Sequence, residues 1–276
     1  MREPDYIKIN KAAWDARVPV HLKSDFYDVE GFLRGKSSLK SIERALLGNI
    51  RGKTVLHLQC HFGQDTISLA RLGAKVTGVD FSEAAIEAAK KLAAKTQTNA
   101  EFICCDIYSL PDFLDKRFDI VFTSYGVIGW LPDMEKWAYI VSKYLNYGGN
   151  FVMVEFHPVV WMFNNDFTRI QYNYFKSQPI IETDEGTYTD GGAEIKTETV
   201  GWNHSLSAVV NSLIARGLQI QSLNEYDYSP YECFNYMEKK GPGKFIIKEL
   251  GNKIPMLYSI KAAKAGYGKK SGARGV

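Results

Sequence analysis

The stretch over residues 54–80 constrains the fold more than any other part of the chain. It opens with β-branched and aliphatic residues, Thr54, Val55 and Leu56, which are typical of a buried strand. A tight loop that ends at Gly63 leads into a short helical segment over 67–72, which Gly73 closes. A strand that enters a helix through such a loop aims free backbone N–H groups and the positive end of the helix dipole at one point. The stretch therefore predicts a βαβ unit with a site for a nucleotide-type ligand.

The acid at the end of the next strand supports the same interpretation. Asp80 ends a predicted strand over 74–80, and an acid roughly 20 residues after the loop is the expected acceptor of ribose hydroxyls. Phe81 follows it and is predicted to pack on the purine face, unless it simply fills the strand-to-helix core. The loop contains a single glycine, Gly63, so the G-x-G-x-x-G pattern of dinucleotide oxidoreductases is missing. A nicotinamide oxidoreductase is therefore the disfavoured alternative.

The run HLQCHFGQDT at 57–66, with VTGVDFS at 76–82, resembles the class I S-adenosylmethionine-dependent methyltransferases. Their first motif is an acid-x-G-x-G-x-G run after the first strand, and a bacterial methyltransferase-like subgroup carries a His/Gln/His variant similar to this one. Aligned on Gly63, the motif positions are His57, Gln59, His61 and Gly63. An acid in place of His57 would help to hold the cofactor's ammonium group, a charge that a neutral imidazole does not supply.

The resemblance covers about residues 50–155 and implies a doubly wound α/β sheet of seven strands in the order 3-2-1-4-5-7-6. It also implies S-adenosylmethionine as the cofactor and S-adenosylhomocysteine as its product. Asp106 matches the position that binds the adenine amino group, Ile107 packs against the ring, and the end of the fourth strand meets the methyl-donor sulfur. The implied cofactor-binding residues are Gln59, His61, Gly63, Gln64, Asp80, Phe81, Asp106, Ile107, Thr123, Ser124, Trp14 and Tyr27.

The order of the predicted segments indicates one methyltransferase domain with two additions. Its parts are an N-terminal helical lid (1–50), the cofactor-binding core (51–155), an aromatic cap after strand five (156–202), a last helix with two closing strands (203–262), and a flexible basic tail (263–276). Trp14, Arg17 and Tyr27 are candidate lid residues, with packing of an N-terminal helix on the core as the alternative. The aromatic residues of the cap indicate either a small core of its own or a pocket for an apolar or planar acceptor.

Methyl transfer from a sulfonium is an in-line displacement, so positioning supplies much of the rate. A general base matters only when the acceptor holds a proton near physiological pH. The candidates beyond strand five are Glu155, His157 and, across the cap, His204. The alternative for each histidine is a structural hydrogen bond to a backbone carbonyl.

Composition excludes several other classes of protein. The 276 residues are 45% hydrophobic and carry a net charge of +3, and the excess lies partly in the C-terminal lysines and arginine, which are typical of a solvated tail. We find no nucleic-acid module, no apolar run long enough for a membrane span and no signal sequence. The four cysteines lack metal-site spacing, which predicts reduced thiols, no metal and a cytoplasmic location.

The sequence therefore predicts S-adenosylmethionine-dependent methylation of a small molecule by a monomer or homodimer. The alternative of a different class is a non-catalytic protein that binds the cofactor or its product on the same fold.

Overall fold

The computed structural model describes residues 5–266, in which a seven-stranded sheet lies between two layers of helices. The helices are α1 (Asp5–His21), α2 (Val29–Leu33), α3 (Ser41–Leu47), α4 (Gln64–Arg71), α5 (Glu83–Lys95), α6 (Met134–Tyr144) and α7 (Leu206–Ala215). The strands are β1 (Thr54–Leu58), β2 (Lys75–Asp80), β3 (Ala100–Cys104), β4 (Phe118–Ser124), β5 (Leu145–Phe156), β6 (Ile180–Glu185), β7 (Lys196–Gly201), β8 (Leu218–Tyr226), β9 (Met237–Gly241), β10 (Lys244–Ile247) and β11 (Leu257–Lys264).

The large sheet has the strand order β3-β2-β1-β4-β5-β11-β8. Strands β1 to β5 run parallel to one another, and β11 runs antiparallel to both β5 and β8. Counted among the strands of this sheet alone, the order is the predicted 3-2-1-4-5-7-6, so the predicted fold is confirmed. The carboxyl ends of β2, β1, β4 and β5 meet along one edge, which is where ligands bind in sheets of this kind.

Apolar side chains cover both faces of the sheet. On one face, Trp137 and Tyr144 of α6 and Leu213 of α7 are buried against Phe151 and Tyr258 of the sheet. On the other face, α3, α4 and α5 bury the second set, which includes Leu47, Leu69, Ile67 and Leu92. Burial on both faces explains why the central strands carry consecutive apolar residues, as at 120–122 of β4, instead of alternating.

The predicted lid and cap are joined over the edge of the sheet. Strands β6 and β7 form an antiparallel hairpin. Asn10 of α1 donates to the Val200 carbonyl and accepts from the Val200 N–H, at 2.8 Å in both cases. Arg17 of α1 donates to Asp184 Oδ2 at 3.1 Å. These contacts hold α1 against the hairpin, so the two additions form one roof.

The structure differs from the predictions near the C-terminus. A hairpin of β9 and β10, which we did not predict, lies between β8 and β11. The β-branched and aliphatic residues over 254–260 predict that the last strand begins at Ile254, but it begins at Leu257, because Pro255 has no N–H for the ladder. It continues to Lys264, so the first two residues of the predicted tail belong to the sheet. The ammonium groups of Lys261 and Lys264 donate to the carbonyls of Leu46 and Leu145 instead of being solvated.

The rest of the predicted tail, 267–276, lies outside the described residues. Within 5–266, no helix is both long and apolar enough to cross a membrane.

Candidate active site

The loop after β1 follows a left-handed path at every second residue. The φ angles are 55° at Gln59, 50° at His61 and 78° at Gly63. These are the positions at which the aligned motif has glycine, and this chain adopts the same backbone with two larger residues. Gly63 itself is required, because a Cβ there would lie 2.8 Å from Phe102 and 2.9 Å from Ala89. The path directs the N-terminus of α4 towards the edge of the sheet.

Asp80, at the end of β2, is held beside this loop by backbone donors. The His61 N–H donates to one carboxylate oxygen at 2.8 Å, and the Ser82 N–H donates to the other at 3.0 Å. Burial raises the pKa of Asp80 to about 6, although these hydrogen bonds oppose the shift. The Phe81 N–H is a third backbone donor to this carboxylate, which has about four acceptor positions and so can still accept from a ribose hydroxyl.

A cavity of about 810 Å³ lies along this edge of the sheet, between the roof and the strand ends. Small-molecule sites are typically about 300–1,000 Å³, so the cavity is large enough for a ligand of that class. Of the predicted cofactor-binding residues, those that line it are Trp14, Tyr27, Gln59, His61, Gly63, Gln64, Asp80, Phe81 and Ser124. The structure therefore brings nine of the twelve together.

Aromatic residues of the lid close the cavity over the loop. The ring of Trp14 lies edge-on to those of His61 and Trp130, at 5.2 and 5.6 Å between centroids. His21 Nδ1 lies 2.9 Å from His61 Nε2, and burial lowers the pKa of both histidines, that of His21 to about 3. Both rings are therefore neutral, and one donates to the other. The lid contacts the loop directly, as the candidate roles of Trp14 and Tyr27 require.

At the end of β1, a neutral histidine stands beside a carboxylate. His57 is 2% exposed, and burial lowers its pKa to about 4. Its Nδ1 lies 2.8 Å from Thr66 Oγ1, and its Nε2 lies 3.5 Å from Ser124 Oγ. The Ser124 hydroxyl donates to Asp65 Oδ2 at 3.1 Å. Asp65, in the first turn of α4, also lines the cavity.

At the end of β4, a tyrosine is hydrogen-bonded to a buried acid. Tyr125 lines the cavity, and its hydroxyl donates to Glu43 Oε2 at 2.6 Å. Burial, and next the charge of Asp65, raises the pKa of Glu43 to about 7. Burial raises the pKa of Tyr125 well above 10, with the Glu43 charge contributing. Near neutral pH the tyrosine keeps its proton and the acid can gain or lose one.

Aromatic side chains surround this second half of the cavity. Phe26 stacks on Tyr231 at 5.4 Å with an interplanar angle of 23°, and Tyr125 lies edge-on to Tyr231 at 5.0 Å. Phe156 and Phe234 continue the wall. Tyr231 and Phe234 come from the segment before β9, which contributes a wall that the sequence did not predict.

Three predicted cofactor residues lie away from the cavity. Asp106 accepts from the N–H groups of Tyr108 and Ser109 and so closes its own turn. Ile107 is 3% exposed and packs in the hydrophobic core. Thr123 is fully buried, because it points to the opposite face of β4 from Ser124. The structure does not support a cofactor contact for these three residues.

The predicted bases are also engaged elsewhere. His157 Nε2 lies 2.9 Å from Glu225 of β8, and His204 Nε2 donates to the Leu131 carbonyl at 2.7 Å. Neither histidine lines the cavity. Glu155 is 1% exposed and accepts from the N–H groups of Gly126, Val127 and Ile128, so it anchors the loop after β4. His204 thus has its alternative role, a hydrogen bond to a backbone carbonyl, whereas His157 faces a carboxylate and Glu155 binds backbone N–H groups. None of the three lines the cavity.

The predictions missed two acids of the site, Asp65 and Glu43, and the pairing of Glu43 with Tyr125, which was expected only as part of the end of the fourth strand. Asp65 follows the glycine loop by two positions, but a carboxylate there is equally explained by the helix dipole. Glu43 and Tyr125 are 82 residues apart, and no local pattern connects them.

The polar and apolar groups that line the cavity fit a nucleoside with a charged side chain. Asp80 offers a buried acceptor for a diol, Phe81 an apolar face, and the N-terminus of α4 free N–H groups for a carboxylate. In the part of the chain that the structure describes, no group of three or more metal-ligating side chains occurs.

Comparisons with known proteins agree with this geometry. The sequence profile of a family described as "Methyltransferase domain" matches residues 55–149. A ubiquinone biosynthesis O-methyltransferase of Coxiella burnetii is 29% identical over 201 residues, which is 72% of this chain and 80% of the relative.

Two solved structures share the fold. An S-adenosylmethionine-dependent methyltransferase from Mesorhizobium loti is 20% identical, covers 84% of this chain and 99% of its own, and has a TM-score of 0.55. The other is a geranyl diphosphate C-methyltransferase from Streptomyces coelicolor, solved in complex with Mg²⁺, geranyl diphosphate and S-adenosylhomocysteine. It is 13% identical, the match covers 88% of this chain and 85% of that one, and the TM-score is 0.55.

Proposed function

Because the chain belongs to the class I S-adenosylmethionine-dependent methyltransferase superfamily, we propose that it methylates a hydroxyl group of a small aromatic acceptor. The observation that carries the proposal is the hydrogen bond between Tyr125, which lines the cavity, and the buried Glu43. A hydroxyl acceptor must lose its proton during transfer, and this pair provides a place for that proton.

The cofactor supplies a methyl group on a positively charged sulfur. We assign the β1–β2 half of the cavity to it, with Asp80 accepting from the ribose hydroxyls, Phe81 against the adenine and the loop over 59–64 around the remainder. Trp14 and Tyr27 cover this half from the roof. Both line the cavity, and the Gln64 amide donates to the Tyr27 carbonyl at 2.9 Å, which joins lid and loop.

The β4–β5 half is then left for the acceptor. Phe26, Tyr125 and Tyr231 offer ring faces and edges to a planar molecule. The C. burnetii relative is named as an O-methyltransferase of ubiquinone biosynthesis, which supports a ring-borne hydroxyl as the target. A ring held between these walls has its hydroxyl turned towards Tyr125, at the boundary between the two halves.

The proton moves in a relay. The acceptor O–H donates to the Tyr125 oxygen, while Tyr125 passes its own proton to Glu43. The acceptor oxygen forms its bond to the methyl carbon as the carbon–sulfur bond breaks. Glu43 is surrounded by the Lys40 N–H, the hydroxyl of Tyr125 and the charge of Asp65, and its pKa of about 7 suits a proton acceptor near neutral pH.

A matched panel of acceptors tests the proposal. The purified protein is incubated with S-adenosylmethionine and with catechol, aniline or thiophenol bearing the same ring substituents, and S-adenosylhomocysteine is quantified. Only the hydroxyl compounds are expected to react. Transfer to the amine or the thiol, with none to a hydroxyl, would refute O-methylation.

Variants of the pair separate chemistry from binding. Tyr125→Phe should lower kcat by about 10²–10⁴-fold, since the relay is broken, with the dissociation constant of S-adenosylhomocysteine changed by less than about two-fold. An unchanged kcat would remove Tyr125 from the mechanism.

A further inference from the structure

A positive charge on the cofactor needs an acid that the first motif of this chain does not provide. The ammonium group of a bound amino acid requires hydrogen-bond acceptors, preferably ionised ones, when it leaves water. The side chain at the end of β1 is His57, which is buried and neutral because burial lowers its pKa. His57 therefore supplies no negative charge.

The carboxylate of Asp65 lies close to His57, with the hydroxyl of Ser124 between the two side chains. Ser124 Oγ is 3.5 Å from His57 Nε2 and 3.1 Å from Asp65 Oδ2. Asp65 therefore brings a negative charge close to the end of β1, where His57 provides none. Asp65 lines the cavity and lies between its two halves, because Ser124 ends the strand that precedes Tyr125. The charge of Asp65 acts on both halves of the cavity. Burial is the main reason why the pKa values of Tyr27 in the lid and Tyr231 in the aromatic wall are raised, and the charge of Asp65 adds to both shifts.

The other acids of the cavity are already engaged or stand elsewhere. Six acidic residues line it: Asp28, Asp65, Asp80, Glu182, Asp184 and Glu185. Three of them are paired with cations, namely Asp28 with Lys36, Asp184 with Arg17 and Glu185 with Lys196. Asp80 binds the backbone of the loop, and Glu182 accepts from Tyr172 on the cap. None of the ion pairs found within residues 5–266 involves Asp65.

We propose that Asp65, in the first turn of α4, binds the ammonium group of the cofactor's methionine part and so replaces the acid that His57 has displaced. The inference rests on the proposed function. Asp65 approaches from the helix after the loop rather than from the strand before it. The hydroxyl of Ser124 orients its carboxylate, since that hydroxyl donates to Oδ2.

Two nucleosides separate this role from a general effect on binding. S-adenosylhomocysteine carries the ammonium and the carboxylate, whereas 5′-methylthioadenosine has neither. Calorimetric titration of the wild-type protein and of Asp65→Asn with both compounds isolates the contribution of the charged end. Loss of a negative charge near the ligand carboxylate would strengthen binding, so weaker binding reports on the ammonium.

We expect Asp65→Asn to weaken S-adenosylhomocysteine binding by about 10- to 100-fold, as one charge-assisted hydrogen bond is lost. Binding of 5′-methylthioadenosine should change by less than about two-fold, which also shows that the variant is folded. The matched control is Glu182→Gln, which removes a charge of the same sign from the cavity wall and should leave both affinities unchanged.

Two results would overturn the inference alone: Asp65→Asn binds S-adenosylhomocysteine as tightly as the wild type, or it weakens both nucleosides equally. A wild-type protein that binds neither nucleoside would refute the proposed function, and this inference with it.

Discussion

Glu43 makes the stability of the protein depend on pH in a calculable way. Its carboxyl is fully buried, and burial, with the charge of Asp65 second, raises its pKa from 4.5 to about 7. The folded protein therefore holds this proton more tightly than the unfolded chain. The stabilisation is complete below the unfolded-state pKa and is lost as the pH rises through the folded-state value. At 1.36 kcal/mol per pKa unit, the total loss is about 3 kcal/mol, of which about 2 kcal/mol falls between pH 5.5 and 8.

The substitution Glu43→Gln removes this titration. It also adds a fixed cost, because the backbone N–H of Lys40 and the hydroxyl of Tyr125 both donate to the carboxylate, and an amide has only one oxygen. That cost is nearly the same at both pH values and cancels in the comparison. The free energy of unfolding of the variant, relative to the wild type, should therefore rise by about 2 kcal/mol from pH 5.5 to pH 8.

Urea unfolding followed by circular dichroism measures both free energies at each pH. Glu198→Gln, at an exposed position of β7, is the control and should reproduce the pH dependence of the wild type. If wild type and Glu43→Gln lose stability in parallel between these pH values, Glu43 does not titrate in the folded protein, and its role as proton acceptor fails as well.

Three further perturbations follow from the geometry. Asp80→Ala should weaken S-adenosylhomocysteine binding by about 1–3 kcal/mol in calorimetry, since a buried acceptor for the ribose hydroxyls is lost, and an unchanged affinity in the folded variant contradicts the assignment. Gly63→Ala should lower the free energy of urea unfolding by at least about 1 kcal/mol, because its φ of 78° disfavours a side chain and the new Cβ meets Phe102; equal stability would show that the loop relaxes. His157→Asn should leave S-adenosylhomocysteine affinity within about two-fold, as that side chain contacts Glu225 outside the cavity, and a ten-fold loss would return His157 to the site.

The sheet could be predicted because its signals are local. The largely apolar and β-branched stretch over 118–124 predicts a strand with the bounds observed for β4, because both faces of a parallel strand are buried. Ser82 and the apolar stripe that follows it predict a capped helix over 83–94, and the structure has it over Glu83–Lys95 with Ser82 as the cap. Asp80 could be placed by its spacing from the loop alone.

The rest of the site depends on contacts between distant parts of the chain. Arg17 and Asp184 are 167 residues apart, and nothing near either one indicates the other. His157 was correctly expected near the end of a strand, but its distance from Glu225 of β8 depends on how the closing strands pair. Tyr231 lies in an irregular segment, and no periodic pattern of apolar residues in the sequence predicts the course of its backbone. The predicted bases therefore lie outside the cavity, although the strands were predicted in the observed order.

The loop after β1 retains the backbone of a glycine-rich loop although only Gly63 of its three motif glycines is present, and the side chains of Gln59 and His61 explain how. A left-handed conformation costs an ordinary residue about 1–2 kcal/mol, and both Gln59 and His61 adopt it. Each forms a contact that a glycine cannot. The Gln59 amide donates to the Val127 carbonyl at 2.8 Å, beside the acceptor half, and the His61 ring is hydrogen-bonded to His21 of the lid.

The strain in this loop is thus offset by bonds that join it to both neighbours of the cofactor half. A glycine loop would hold the cofactor but would leave the lid and the loop after β4 independent of it. In this chain, the conformation of the loop is coupled to both. Relocation of the acid from β1 to α4 belongs to the same rearrangement, because His57 and Asp65 flank the loop and are connected through Ser124.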